Sequence, residues 1–455
     1  MNRRDFLRAG ASALALSMLP ASLLALDTSE KKPNFLIIMA DDVSWSSFGC
    51  ADSDLFTRTP NIDTLATEGV RFTNFFCASA QCAPVRHELY TGLLPPSSGV
   101  YDNGNKPRAK YRNVVDYLGA AGYNVGLAGK LHFKSESKFA EVPGFTSNAN
   151  HSAPTWSLDG ARHFISKAQA KDQPFCLFLC SVHAHHPWTI GDSSRFPVDE
   201  MVLPPHMVDG PVTRACMSEH AAEVEDLDNQ VGATMQLLKD MKLEEDTVLI
   251  FLSEQGTAMP NGKWSIYDFG CRALCTVRWP GKIKPGTTTD AIAMYCDIVP
   301  TLVDLAGGTI SDKIDGRSLS KVLLSDDTSE SRKHALLFGQ KHLKQRALRK
   351  KDYKLIWNPN TDEVYNQPNI MGSKGNKRFH DAWQEWVEKA KTDPVARAKV
   401  DRIIKHPEFE LYDIRTDPFE TKNLADNPEH SQRVKNMLSE LKKELAMLKD
   451  ELAKE

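Results

Sequence analysis

The sequence predicts an α/β protein built on a large, mostly parallel sheet flanked by helices, followed by a smaller α+β region. Three observations lead there. From residue 33 onward, short apolar runs alternate with helical patterns, the mark of parallel strands joined by crossover helices. Four of those runs end in ionisable residues, and open α/β sheets place their ligands at the carboxyl ends of strands. The chain has 455 residues, 41% of them hydrophobic and 25% charged, a globular composition long enough for two or three domains.

Taken in order, residues 1–26 stand apart. Arg3-Arg4-Asp5-Phe6-Leu7-Arg8 precedes an uncharged Ala/Leu/Ser-rich stretch over 9–26 that contains Pro20. This reads as a cleaved twin-arginine signal, because the stretch falls short of the roughly 20 apolar residues of a membrane span. The twin-arginine export machinery is then a partner, and the mature protein is periplasmic or secreted.

Residues 27–330 form the expected main domain. The run over 35–40 ends in Asp41-Asp42, and the run over 124–128 leads into Gly129-Lys130-Leu131-His132. Residues 175–180 lead into His183-Ala184-His185-His186-Pro187, and 247–252 into Ser253-Glu254-Gln255-Gly256. One acidic pair after a strand is commonly a helix cap; four polar strand ends point to one shared site. Val224, Leu227, Val231, Met235 and Leu238 recur at helical spacing, a core-facing helix with Gly232 as its weak point. After Leu323 the pattern changes, and residues 331–455 are expected as the smaller domain. Its last segment, with Val434, Leu438, Leu441, Leu445, Leu448 and Leu452 stepping by four and three, is an amphipathic helix packed on that domain. A coiled-coil contact in a homodimer is the alternative.

With 56 Lys and Arg against 59 Asp and Glu, the chain lacks the basic footprint of a nucleic-acid-binding protein. Nine cysteines, odd in number and without a Cys-x-x-Cys pair, disfavour a disulfide framework or a zinc knuckle. Most read as small buried hydrophobes, Cys82 excepted.

Asp41, Asp42, Glu254 and Gln255 offer oxygen ligands alone, which suits a hard divalent cation, Ca²⁺ before Mg²⁺, better than zinc. Arg86, Lys130, His132, His185 and Lys263 add cationic groups, and cations beside a metal make a pocket for a tetrahedral oxyanion such as sulfate or phosphate.

In Gln81-Cys82-Ala83-Pro84-Val85-Arg86-His87-Glu88-Leu89-Tyr90-Thr91-Gly92, a cysteine is followed two residues later by Pro, four later by Arg, and then by Leu-x-Thr-Gly. This resembles the signature of the type I sulfatases. Residues 34–42 look like that family's opening strand, continued by Thr59-Pro60-Asn61-Ile62-Asp63. Gly129-Lys130-Leu131-His132 resembles its Gly-Lys-x-His element, and His185-His186-Pro187 its His-x-Pro element. Ser253-Glu254-Gln255-Gly256 falls on the second metal-binding turn, while Lys263, Tyr267, Asp268, Gly270 and Arg272 keep the spacing that follows. Gly316-Arg317-Ser318-Leu319, Glu410-Leu411-Tyr412-Asp413, Asp417-Pro418 and Asn423-Leu424-Ala425 match the carboxyl-terminal landmarks. Val85 departs from the usual Ser or Ala, and Glu254 and Gln255 replace the commoner Asp and Asn or His, each a methylene longer than the Asp or Asn.

The resemblance implies an alkaline-phosphatase-like superfold and a Cys82 oxidised to Cα-formylglycine by a maturase. It implies one divalent ion per subunit held by Asp41, Asp42, Glu254 and Gln255 beside residue 82. Hydrated formylglycine then attacks sulfur, and its second hydroxyl expels sulfate, a step a thiol cannot perform. Arg86 would stabilise the diol anion, and Lys130 and His132 would contact it and the sulfate. His185 and Lys263 would bind sulfate and protonate the leaving group. The implied substrate is a sulfated oligo- or polysaccharide, with Trp188 and Trp264 as stacking faces beside the site. The second domain looks most like the heparan N-sulfatase (sulfamidase) branch. A phosphate or phosphonate monoester hydrolase of the same superfold and a non-catalytic sulfoglycan-binding protein with unconverted Cys82 are the competing readings.

Overall fold

The computed structural model describes residues 31–51, 57–144, 156–372 and 377–454; the export signal read at 1–26 lies outside them. Eight strands form the main sheet: β1 (Asn34–Met39), β2 (Val70–Phe76), β3 (Asn124–Gly129), β4 (Ala140–Glu141), β5 (Phe175–Cys180), β6 (Thr247–Leu252), β7 (Arg272–Arg278) and β8 (Thr287–Met294), in the order β4-β3-β5-β1-β6-β7-β2-β8. β7 runs antiparallel to β6 and β2, and the other pairings are parallel. The expected strands are in place, with ends shifted by at most one residue.

The central strands are apolar throughout because both faces are covered. Side chains alternate across a strand, so Phe35, Ile37 and Met39 enter one core while Leu36 and Ile38 enter another. Helices of eight or more residues cover these faces: α1 (Pro60–Thr67), α2 (Cys82–Thr91), α3 (Leu158–Gln169), α4 (Pro211–Asp240), α5 (Ile298–Leu305), α6 (Lys377–Lys389), α7 (Pro394–Ile404) and α8 (Ser431–Met447). The Val224–Leu238 stripe of α4 is buried as its spacing predicts. Gly232 marks a close crossing of α4 and α1: a Cβ there would lie 2.4 Å from Asn61 Oδ1. Asp228 fixes that amide at 2.7 Å and accepts the Ile62 N–H at 2.8 Å, satisfying donors at the start of α1.

A second, antiparallel sheet has the order β12-β11-β10-β9, from β9 (Ala335–Phe338), β10 (Arg346–Arg349), β11 (Tyr353–Trp357) and β12 (Phe409–Asp413). It shares the first core through Leu337, Leu348, Leu355 and Leu411, and Pro33–Glu455 form one compact unit. Helix α8 packs on β10 and β11, burying Val434, Met437, Leu441 and Leu445. Its apolar face is therefore taken by its own sheet, which corrects the coiled-coil alternative. Among the described residues, no helix is long and apolar enough to cross a membrane.

Candidate active site

The site forms where the strand order turns back on itself. β3, β5, β1, β6 and β2 all point the same way, so their carboxyl ends open on one edge, the place where such sheets bind ligands. Backbone bonds join the loops beyond the strands: Asp41 N–H donates to His183 O at 3.0 Å, Ser181 N–H to Met39 O at 2.7 Å and Lys130 N–H to Cys180 O at 3.0 Å. The last requires Gly129, with φ +100°, because a Cβ there would lie 1.8 Å from Cys180 O.

Cys82 opens α2 after the loop that leaves β2. Arg86 follows one turn later, on the same helix face, which explains the Cys-x-x-x-Arg spacing. Its Nε meets Glu254 Oε1 at 2.7 Å, and its Nη1 donates to Lys130 O. Val85 is fully buried in the first core, so the departure from Ser or Ala is an apolar residue on an apolar face. Gly92, at φ 72°, ends the helix.

Cys82 Sγ lies 3.5 Å from Asp41 Oδ1, 3.7 Å from Asp42 Oδ1, 3.3 Å from Lys130 Nζ and 3.4 Å from Gln255 Nε2. Lys130 reaches Asp41 Oδ2 at 2.5 Å, Lys263 reaches Asp42 at 2.8 Å, and His185 Nε2 lies 3.6 Å from Asp42 Oδ2. Asp41, Asp42, Cys82 and Glu254 bring one potential ligand atom each within 4.8 Å of one another. Asp42 and Glu254 adopt left-handed backbone, φ 59° and 64°, sparse for non-glycine residues and typical of functional sites.

These residues fit a hard cation. Glu254 Oε2 and Gln255 Oε1 are buried without a hydrogen-bond partner, a cost of about 1–3 kcal/mol each. Gln255 turns Nε2 toward Asp42 and Cys82; a cation beside Asp42 makes the amide oxygen the favoured face instead. The longer Glu254 and Gln255 thus still offer oxygen to the centre.

The electrostatics follow from burial. Burial and then Glu254 push the Cys82 thiol up to about 12. Burial raises Glu254 to about 8 against the opposing pull of Arg86. Burial also raises Asp41, but Lys130, a hydrogen bond with Glu254, His185 and Arg86 outweigh it and hold that carboxyl well below its usual range. Burial pulls Lys130 and Lys263 down, yet their partners Asp41 and Asp42 carry both above the ordinary lysine value.

Two expectations change. His132, at φ 41°, is exposed at the rim and is not brought into hydrogen-bond contact with the other site residues; partial burial, then Lys130 and Arg86, lower it to about 4. Trp188 is 6% exposed, its indole N–H donates to Ala184 O at 2.8 Å, and its ring packs between His220 and Phe379. It is a core residue and offers no sugar face, whereas Trp264 is partly exposed beside Lys263.

Sequence reasoning missed the groups behind the site. His183 Nδ1 lies 3.0 Å from Asp226 and 2.8 Å from Gln230, His220 Nε2 lies 3.3 Å from Asp42 O, and Tyr295 donates to Glu254 O at 3.1 Å. Asp226 and Gln230 sit four apart on α4, the one signal that could have paired them.

Residues 33–308 match the family described as Sulfatase, and residues 261–371 match N-sulphoglucosamine sulphohydrolase, C-terminal. The chain is 29% identical to an ulvan-active sulfatase of Formosa agariphila over 427 residues, 90% of this chain and 80% of that protein. Its fold resembles a protein solved with its substrate D-glucosamine-2-N,6-O-disulfate (TM-score 0.68, 19% identity, 93% and 100% of the two chains). It also resembles the phosphonate monoester hydrolase of Agrobacterium radiobacter (TM-score 0.68, 18% identity, 92% and 96%). The fold is thus alkaline-phosphatase-like. With the match running from the first strand to just beyond α5, the chain belongs to the sulfatase family, the type I enzymes with a sulfamidase-like carboxyl-terminal segment, and is a sulfuric ester hydrolase.

Proposed function

We propose that the protein removes sulfate from a glycan, as an O-ester or a sulfamate, with a nucleophile made from Cys82 and one divalent cation, Ca²⁺ before Mg²⁺. We place it after twin-arginine export, in the periplasm or outside the cell, with a formylglycine-generating maturase acting on it beforehand. One observation carries the reading: the Cys82 side chain stands where two aspartates, Lys130 and Gln255 converge within 3.7 Å.

A thiol held at about 12 is neutral at working pH and a poor nucleophile, which supports its replacement by an oxygen group. Asp41, Asp42, Glu254 and Gln255 would hold the cation, which would polarise oxygens beside it, and formylglycine at position 82 would supply the attacking hydroxyl. The chain's own residues do the rest. Arg86, fixed by Glu254, places a permanent positive charge behind residue 82. Lys130 and Lys263 neutralise sulfate oxygens that would otherwise be uncompensated in a buried site. The His186 carbonyl accepts from His185 Nδ1 at 2.8 Å, so Nε2 is the face that gains a proton beside a bound sulfate and passes it to the leaving oxygen or nitrogen. His132, at the rim, is suited to receiving the proton given up during sulfate release.

The match at 261–371 supports a glucosamine-type substrate, and Trp264 supplies a face for the sugar. Mass spectrometry of the peptide spanning Cys82, from protein made in its own host, tests the reading together with sulfate release from sulfated oligosaccharides. Conversion with release is the expected result. An intact thiol with no release favours a sulfoglycan-binding protein, and faster turnover of aryl phosphate than aryl sulfate favours a phosphomonoester hydrolase.

A further inference from the structure

A cleft of about 730 Å³ lies away from the catalytic centre, between the turn after α2, the segment leading into β9 and the end of α8. Its size is that of a ligand site, about 300–1,000 Å³, but such sites are mostly apolar, and this one is dominated by positive charge. Lys313, Arg317, Lys333 and Lys449 line it, and none of them has a carboxylate partner among the described residues. The Arg108 guanidinium, also in the lining, donates to the carbonyl of Pro96 at 2.8 Å and has no carboxylate partner among the described residues.

Of the carboxylates in the same wall, Glu330 is neutralised by a lysine, while Asp315 and Glu444 are held by neutral groups and keep their charge. Glu330 pairs with Lys321, Glu444 lies 3.7 Å from His334, and Asp315 accepts the Leu94 N–H at 2.8 Å. Arg332, also in the wall, is held by Asp297 at 2.6 Å. A single exposed lysine is ordinary. Six Lys and Arg side chains (Arg108, Lys313, Arg317, Arg332, Lys333 and Lys449) against three carboxylates (Asp315, Glu330 and Glu444) around one concavity leave a net positive field that an anion relieves.

A second cavity adjoins the cleft. Tyr111 lines the cleft and also this cavity of about 690 Å³, whose wall includes Phe133 and Lys134. Those two residues directly follow His132 at the catalytic rim. The cations come from four separate segments around a volume of about 730 Å³, far more than one small ion fills, which suits a chain of anionic units.

We propose that this cleft binds a polyanionic, sulfated glycan chain, holding several sugar units of a polymer whose terminal or internal sulfate is presented at Cys82. The identity of the occupant rests on the sulfatase reading; the existence of the site rests on the cleft alone. Its chemistry is an extended anion recognised by Lys and Arg along a groove, with the Tyr111 ring as an apolar face.

The test uses the full chain, metal-loaded and matured, and a Lys313→Ala/Lys333→Ala double variant. Heparin binding is measured across a NaCl series, and kcat/KM is measured on 4-nitrophenyl sulfate, which is too small to reach the cleft. The double variant is expected to bind heparin at least tenfold more weakly at low salt. Its log–log salt slope should fall by about two, about one per ionic contact removed, with aryl sulfate turnover within twofold of wild type. Unchanged heparin affinity overturns the proposal, as does an equal loss on the aryl substrate. Equal weakening toward polyglutamate shows a general anion surface and overturns the glycan assignment. If no sulfate is released by either protein yet heparin binding still falls, the sulfatase reading fails while the cleft stands.

Discussion

The protein buries two clusters of opposite charges, and they are finished differently. Beside the second sheet, Asp268 receives Arg349 Nε and Lys354 Nζ, both at 2.9 Å, and Lys354 is shared with Glu420 at 2.8 Å. Glu420 in turn accepts the Asp268 N–H. Burial raises Asp268, but Arg349 and Lys354 outweigh it and hold the carboxyl far below its ordinary value. Glu420 Oε1 has no hydrogen bond but is held by the Lys354 charge, whereas at the Cys82 site three atoms, Glu254 Oε2, Gln255 Oε1 and Arg86 Nη2, are buried without a hydrogen bond. Left-handed backbone does not separate the two clusters, since Glu420, at φ 54°, shares it with Asp42 and Glu254. A closed cluster joins sheets, whereas an open one keeps its desolvated groups for an ion and a substrate.

Cys82→Ala should break this contrast on the active side alone. Sulfate release is expected to fall at least about 10³-fold, with stability within about 1 kcal/mol of wild type because a small side chain leaves a polar site. Turnover and urea melts check both halves; activity within tenfold of wild type would sink the nucleophile assignment. Asp268→Ala is the converse. It leaves Arg349 and Lys354 buried without their shared anion and should cost about 3–5 kcal/mol in urea unfolding, while kcat per folded molecule holds. A loss under about 1 kcal/mol would mean that this cluster is not the joint described.

The same contrast explains what was legible in the sequence. The open cluster was readable because buried parallel strands are apolar runs, so the first charged residue marks both the strand's end and the sheet's ligand edge. Cys82 and Arg86 were readable from the resemblance of residues 81–92 to the sulfatase signature. The closed cluster was not: Tyr267, Asp268 and Arg272 stood out by spacing, but their partners Arg349, Lys354 and Glu410 come from a sheet whose packing no local pattern encodes. Trp188 and Trp264 look alike in sequence, and only distant Phe379 and His220 decide that one is core. The reversed direction of β7 has the same cause, since pairing is set by neighbours far along the chain.

Acid should act on the second-sheet side. Glu410 accepts Tyr267 and Tyr412 hydroxyls at 2.8 and 2.5 Å and an Asn358 N–H at 2.9 Å. Burial raises it, but His406 and the two tyrosines bring it to about 2, against an ordinary 4.5. A depressed carboxyl contributes its stability above the unfolded value and loses it as pH falls through the folded one. About 3 kcal/mol should therefore disappear between pH 4.5 and 2. Glu410→Gln should flatten that part of the pH profile in urea unfolding, and a profile parallel to wild type would remove the carboxylate from the account.

The smallest effect is also the most selective. A cation held by Asp41, Asp42, Glu254 and Gln255 binds the folded chain alone, so it should stabilise by about 2.7 kcal/mol at a hundred times its Kd. The closed cluster has no uncommitted carboxylate to offer, so an Asp268→Asn protein should keep the increment even from a lower baseline. Glu254→Gln should lose it. Glu254 is the buried ion-pair partner of Arg86 at 2.7 Å, so the amide also lowers the cation-free baseline, and what identifies the ion site is loss of the calcium increment measured from that baseline. Thermal melts with and without CaCl₂, repeated with MgCl₂, distinguish the two proteins. A calcium shift that survives in Glu254→Gln would place the ion elsewhere, and the unpartnered oxygens of Glu254 and Gln255 would then need another occupant.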